Sequence, residues 1–126
     1  MLSDYPVFTI LLSTDMAASK AFYAETLGLE LKAEEEERLV FASGGGTTFA
    51  ISRSTVGTSD TQTQMAWRVP DVHAAIADLR ARGVHIEEYE APAPVTVDGV
   101  ADMGHSWVAW FVDPSRNVLG LVQPKG

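Results

Sequence analysis

The chain has no cysteine. That excludes disulfide bonds, thiolate metal sites and cysteine nucleophiles, and the expected location is the cytoplasm. Basic residues are few. Nine Lys and Arg stand against seventeen Asp and Glu, a formal net charge of −8. A nucleic-acid partner needs a basic face, so none is expected. An acidic balance suits a cationic ligand, or simply solubility. No apolar run approaches the ~20 residues of a membrane span. The opening "MLSDYPVF" has no basic segment followed by an apolar one, so no signal peptide is expected. Histidine is scarce too: His73, His85 and His105 are the only three. No two of them share an i, i+2 or i, i+4 spacing, so no metal-binding motif is legible there. No Ser/His/Asp constellation is readable either.

What is present is an ordinary soluble composition. The 126 residues are 46% hydrophobic and 21% charged. A chain of this size makes one domain and buries roughly two-thirds of its unfolded surface. "VFTILLS" (Val7–Ser13) is rich in β-branched and aromatic residues and predicts a strand. Asp15 can cap a helix from about Met16 to Leu27, which Gly28 ends. "LELKAE" and "ERLVFA" predict two further strands, "SGGG" a turn, and "TTFAISRS" a fourth strand.

The order then repeats. Placing Asp15 over Asp71 lays "FTILLSTDM" on "QMAWRVPDV" and brings Gly28 within one residue of Gly83. Val72, Ala75, Ile76 and Leu79 form a helical stripe. "HIEEYE" (His85–Glu90), "SWVAWFV" and "VLGLVQ" predict strands, and "DPSRN" a turn. The whole reads as one domain, 1–126, of the α+β class. A first βαβββ module spans 6–54, a linker 55–63 and a second module 64–124. Residues 91–105, "APAPVTVDGVADMGH", have no counterpart in the first module. Such a connection is either a surface crossover or a functional loop.

"DMAASKAFYAETLGL" together with "AWFVDPSRNVLGLVQP" resembles the vicinal oxygen chelate superfamily. That group holds glyoxalases, bleomycin-resistance proteins, extradiol dioxygenases and fosfomycin-resistance transferases. The resemblance covers nearly the whole chain. It implies two modules whose mixed, curled sheets each form half a barrel around a cavity, and a homodimer. It also implies one divalent metal held by a His or Gln seven residues before each capping Asp and by a Glu on each module's last strand. Those places fall here on Phe8, Gln64, Ala50 and Gly120. Phenyl, methyl and hydrogen cannot coordinate, and one amide oxygen is a poor ligand. Sliding the alignment by one residue offers Thr9 or Val7, Phe49 or Ile51, and Leu119 or Leu121, which are no better. No metal and no other cofactor is expected.

Strand alternation assigns the faces. Met65, Trp67 and Val69 should pack on the helices, leaving Gln64, Ala66 and Arg68 toward the cavity. Phe8, Ile10 and Leu12 should join them, with Thr48, Ala50 and Ser52. Val118, Gly120 and Val122 follow from the last strand. The resemblance implies that the residue three before the turn's Asp, Trp110, faces the cavity too, with Ser106 and Val108 in phase. The expected ligand-binding set is Phe8, Ile10, Ala50, Ser52, Gln64, Arg68, Ser106, Trp110 and Gly120. Ala50 and Gly120 leave room where ligands would stand. Trp110 either fills the core or stacks on a ligand. Arg68 needs a carboxylate or an anionic ligand as its partner. The run "EEEER" (Glu34–Arg38) is either a solvated edge or an attractor for a cationic drug.

Two functions follow. One is metal-free binding of an apolar or aromatic small molecule, for sequestration or carriage. The alternative is a superfamily enzyme, a lyase, isomerase or dioxygenase, working through residues such as His105, Asp102 or Glu87. Fold resemblance alone motivates the second.

Overall fold

The computed structural model describes residues 1–59 and 61–126; Asp60, inside the expected linker, lies outside them. Strands β1 (Thr9–Ser13), β2 (Glu30–Glu35), β3 (Arg38–Ala42) and β4 (Thr48–Arg53) form a sheet in the order β1-β4-β3-β2. Strands β5 (Thr63–Arg68), β6 (Thr96–Val97), β7 (Val100–Asp102), β8 (Ser106–Val112) and β9 (Val118–Pro124) form the second, in the order β5-β9-β8-β7-β6. In each sheet the first strand runs parallel to the last and every other pair is antiparallel. This is the expected mixed α+β architecture.

Both helices begin as the sequence predicts. Asp15 accepts a hydrogen bond from the Ala18 N–H at 3.1 Å and opens α1 (Met16–Lys20), which runs on through a wider π-helical turn, Ala21–Thr26. Asp71 accepts from the His73 and Ala74 N–H groups at 3.0 and 3.1 Å and opens α2 (Val72–Ala81). These bonds satisfy N–H groups that a helix start leaves orphaned. The stripe face of α2 is buried at Val72, Ile76 and Leu79.

One core joins the two halves. Leu11, Tyr23, Phe41 and Phe49 from the first half pack in the same cluster as Ile76 and Phe111 from the second. Trp67 bridges them, edge-on to Phe49 at 6.4 Å and stacked on Phe111 at 5.9 Å. A polar latch crosses the same seam. The Tyr23 hydroxyl donates to Asp113 Oδ2 at 2.7 Å. Asp113 Oδ1 accepts from the Ser115 and Asn117 N–H groups, both at 2.9 Å. Asn117 Nδ2 donates to Leu12 O at 2.7 Å and to Asp113 Oδ2 at 2.8 Å. The motif residues "FY" and "DPSRN" are thus two sides of one fastening. Burial, then the Asp113 charge and hydrogen bond, push the Tyr23 phenol far up, so it stays a neutral donor.

One expected strand is absent. No ladder forms over His85–Glu90. A single bond, from the Glu87 N–H to Trp110 O at 2.8 Å, ties that segment to β8. The outer strands come instead from the long connection, as the hairpin β6–β7. Its turn is Asp98-Gly99, both at positive φ (52° and 81°), the geometry of a tight two-residue hairpin turn. "VTVDGVAD" carried that signal: an Asp-Gly pair flanked by alternating apolar residues. The middle of the connection 91–105 is therefore sheet edge, at Thr96–Val97 and Val100–Asp102.

Candidate functional site

The sheet registers place matching rows of side chains on the two halves. In the first sheet Ile10, Ala50 and Val40 lie in one row across β1, β4 and β3. Leu12, Ser52 and Arg38 form the next. Leu11, Ile51 and Leu39 point the other way, into the core. The row with Ile10 is open. Ile10 is 56% exposed and Phe8, just before β1, is 54% exposed. Ala50 is shut from solvent by its flanking strands.

The equivalent row of the second sheet is Ala66, Gly120 and Trp110. There Trp110 is only 8% exposed. Its indole N–H donates to Thr63 Oγ1 at 2.9 Å, reaching from β8 across β9 to β5. The room beside Gly120 is bordered by Thr63 and Ala66. A Cβ at Gly120 would come within 3.3 Å of Thr63 Cγ2. Tyr89 packs edge-on against Trp110, 5.4 Å between ring centres. Thr96 holds Tyr89 in place, accepting from its N–H at 2.8 Å and donating to its carbonyl at 3.1 Å. Ala101, Val108 and Val118 complete this small cluster.

The other expected residues scatter. Gln64 sits at a bulge, where Thr63 pairs with Val118 and Met65 with Leu119. The bulge takes it out of the alternation and gives Thr63 the place facing Trp110. Its amide is committed, accepting from the Val118 N–H at 2.7 Å and donating to Asn117 Oδ1 at 3.0 Å. Ser106 is buried, with its hydroxyl 2.8 Å from His105 Nδ1. Arg68 is exposed and takes no hydrogen-bond or ion-pair partner among the described residues. Asp102 bonds Lys125 Nζ at 2.6 Å; that bond and the Gly104 N–H hold its carboxyl below the usual range. Glu87 faces His85 at 4.0 Å. His105, Asp102 and Glu87 each have a different partner and form no shared centre. The acidic run is largely paired: Glu34 with Lys20, Glu35 with Arg38, Glu37 with Arg53.

Beside the open row lies a cavity of about 520 Å³. Phe8 and Thr9, Thr48 and Phe49, and Ala66 and Trp67 are among its walls. It opens at the seam between the sheets, below the β3–β4 turn, and its size is that of small-molecule sites, roughly 300–1,000 Å³. The Trp67 indole N–H donates to Ser43 Oγ at 3.0 Å and fixes one wall. Strand alternation assigned Trp67 to core packing, and it does pack there. Alternation describes one sheet at a time, so it could not show that the ring also borders a space between two sheets.

Two halves on one plan, a strand and a helix followed by three strands in the first and four in the second, enclose a cavity between their sheets. The chain belongs to the Glyoxalase/Bleomycin resistance protein/Dioxygenase superfamily, whose sequence profile matches residues 6–121. No curated protein matches it in sequence. Among solved structures it is similar to TnmS3, an antibiotic binding protein from Streptomyces sp. CB03234, with 25% identity and a TM-score of 0.70 over 96% of this chain and 98% of that one. It shares the fold of a bleomycin resistance determinant encoded on transposon Tn5, at 18% identity, a TM-score of 0.73 and coverage of 97% and 99%. It also shares that of a bleomycin-binding protein complexed with bleomycin, at 17% identity, a TM-score of 0.71 and coverage of 96% and 99%.

The superfamily's metal does not fit these residues. Phe8, Ala50 and Gly120 offer no donor atom, and Gln64 has spent its amide on Asn117 and Val118. Among the described residues no three His, Asp or Glu side chains gather as a metal-holding group.

Proposed function

We propose that this chain binds an apolar or aromatic small molecule without a metal, and sequesters or carries it. The observation that carries the reading is the continuity of the exposed Phe8 and Ile10 with the cavity of about 520 Å³, which Phe8 itself lines. Covering the exposed parts of Phe8 and Ile10 contributes on the order of 2–3 kcal/mol to binding. Ser52 supplies a hydroxyl in the next row, and the unpaired Arg68 a cation for any anionic group on the ligand. The likeness to an antibiotic binding protein supports the same class of ligand. In this reading the chain acts in the cytoplasm as a homodimer, and a second copy completes the half-barrel over the ligand.

The test is a screen of aromatic drugs and metabolites by tryptophan fluorescence and thermal shift, on protein stripped with chelator. A binder is expected to raise the melting temperature and to change the emission saturably, with the change lost in Trp67→Phe. A flat response across a broad panel, or binding that appears only with added divalent metal, sinks the reading.

A further inference from the structure

The two strands that border the cavity are both sheet edges. β1 pairs only with β4, and β5 only with β9. In a parallel pair, alternate residues turn both N–H and C=O toward the partner, and those between turn both away. The Ser54 N–H donates to Ser13 O, so Ser13, Leu11 and Thr9 address β4. Leu12 and Ile10 then address the seam. The Val69 N–H donates to Val122 O, so Val69 and Trp67 address β9, while Arg68 and Ala66 address the seam. No backbone bond joins β1 to β5 among the described residues. Ile10 and Ala66 therefore hold peptide groups without a strand partner there; Ala66 lines the cavity, and Ile10 follows Phe8 and Thr9, which line it.

At its other end the seam is closed by an amide. Asn117 donates to the outward carbonyl of Leu12 at 2.7 Å and accepts from Gln64 at 3.0 Å. The equivalent residue of the first half is Thr47: Asn117 O accepts from the Asp113 N–H at 3.0 Å, as Thr47 O does from the Ser43 N–H at 2.9 Å. Thr47 turns its hydroxyl back onto Gly44 O at 2.6 Å and bridges nothing. Gly44, Gly45 and Gly46 bring no side chains to fill the gap. The cavity is the place where Asn117's counterpart is missing.

We infer that the ligand carries an amide, flanked by an aromatic or apolar group, and that this amide pairs with the edge peptide groups of Ile10 and Ala66 as the Asn117 amide does with Leu12. The ligand class is a short, peptide-like molecule. The inference rests on the binding function proposed above and narrows it.

Three probes on the wild-type chain test it: N-acetyl-phenylalanyl-phenylalaninamide, its central N-methyl amide, and its central ester. Loss of the donor is expected to weaken binding about tenfold, the value of one good hydrogen bond. The amide N–H resonances of Ile10 and Ala66 should shift saturably with the first probe. On the protein side, Ala66→Pro removes an unused donor from an edge strand, where proline is tolerated, and should weaken the first probe similarly. Equal affinity for the three probes, or shifts at Phe8 with none at Ala66, overturns the inference. If aromatic molecules without an amide bind and the peptide does not, small-molecule binding stands and this inference fails. If neither binds, both fail.

Discussion

The two halves of this chain share a frame and differ in what fills it. Across the first sheet the row is Ile10, Ala50, Val40; across the second it is Ala66, Gly120, Trp110. The second half places a large ring over a glycine and covers it with Tyr89. The first places smaller apolar side chains there and leaves Ile10 uncovered. The turns differ in the same sense. "DPSRN" sends Asn117 into the seam, while "SGGGT" sends nothing. A repeated fold need not hold two equivalent sites. Here the second half has become packing and the first half has kept the space.

The largest effect should come from the turn that fills the seam. Asp113→Ala leaves two turn N–H groups, the Tyr23 hydroxyl and an Asn117 N–H without their acceptor. Denaturant unfolding should show a loss of about 4 kcal/mol. Ser43→Ala, at the equivalent position, removes only the bond from Trp67 and should cost about 1 kcal/mol. Similar losses at both would break the comparison. The latch also has a pH signature. The Tyr23 phenol is raised in the fold above its ordinary value of 10.0, so its stabilising effect is complete below pH 10 and is lost as pH rises beyond it. Tyr23→Phe should be the less stable protein at pH 7, and the gap should narrow above pH 10.

A middle-sized effect is expected from uncovering the second sheet. Tyr89→Ala removes the ring that lies edge-on to Trp110. The cost should be about 2 kcal/mol, from lost apolar burial and the aromatic pair. Trp110 emission should move to the red as water reaches the indole. An unchanged emission would mean that the strands and not the crossover keep Trp110 dry.

Much of this frame could be read in the sequence because each element carried a local physical cue. Asp15 and Asp71 announced helix starts, and the bonds to Ala18, His73 and Ala74 are those an aspartate makes there. The chemistry of Phe8, Ala50 and Gly120 needs no fold to read, since phenyl, methyl and hydrogen have no lone pair to give. Long-range geometry was not. Gln64 left its face through a bulge, and no single-strand pattern reports the pairing shift between Thr63 and Met65. The strand expected at His85–Glu90 had the right alternation, but the Asp-Gly turn further on took over the edge of the sheet. The cavity lies between two edge strands far apart in sequence, so Thr9, Phe49 and Trp67, which alternation gives to the opposite face, border it together with Phe8 and Ala66.

The smallest effect on stability should be the most informative about function. Ile10→Ser changes a side chain that is 56% exposed on an uncovered sheet. Surface changes of that kind shift stability by no more than about 0.5 kcal/mol. Binding of an aromatic probe should nonetheless weaken by about tenfold, because the contact area that Ile10 offers exists only in the complex. Unfolding and binding measured on the same variant separate the two. A loss of more than 1 kcal/mol that grows with protein concentration would mean the row is already covered in solution by a second copy. The open and filled halves would then be complementary surfaces of one assembly, with the first half's gap closed by the partner.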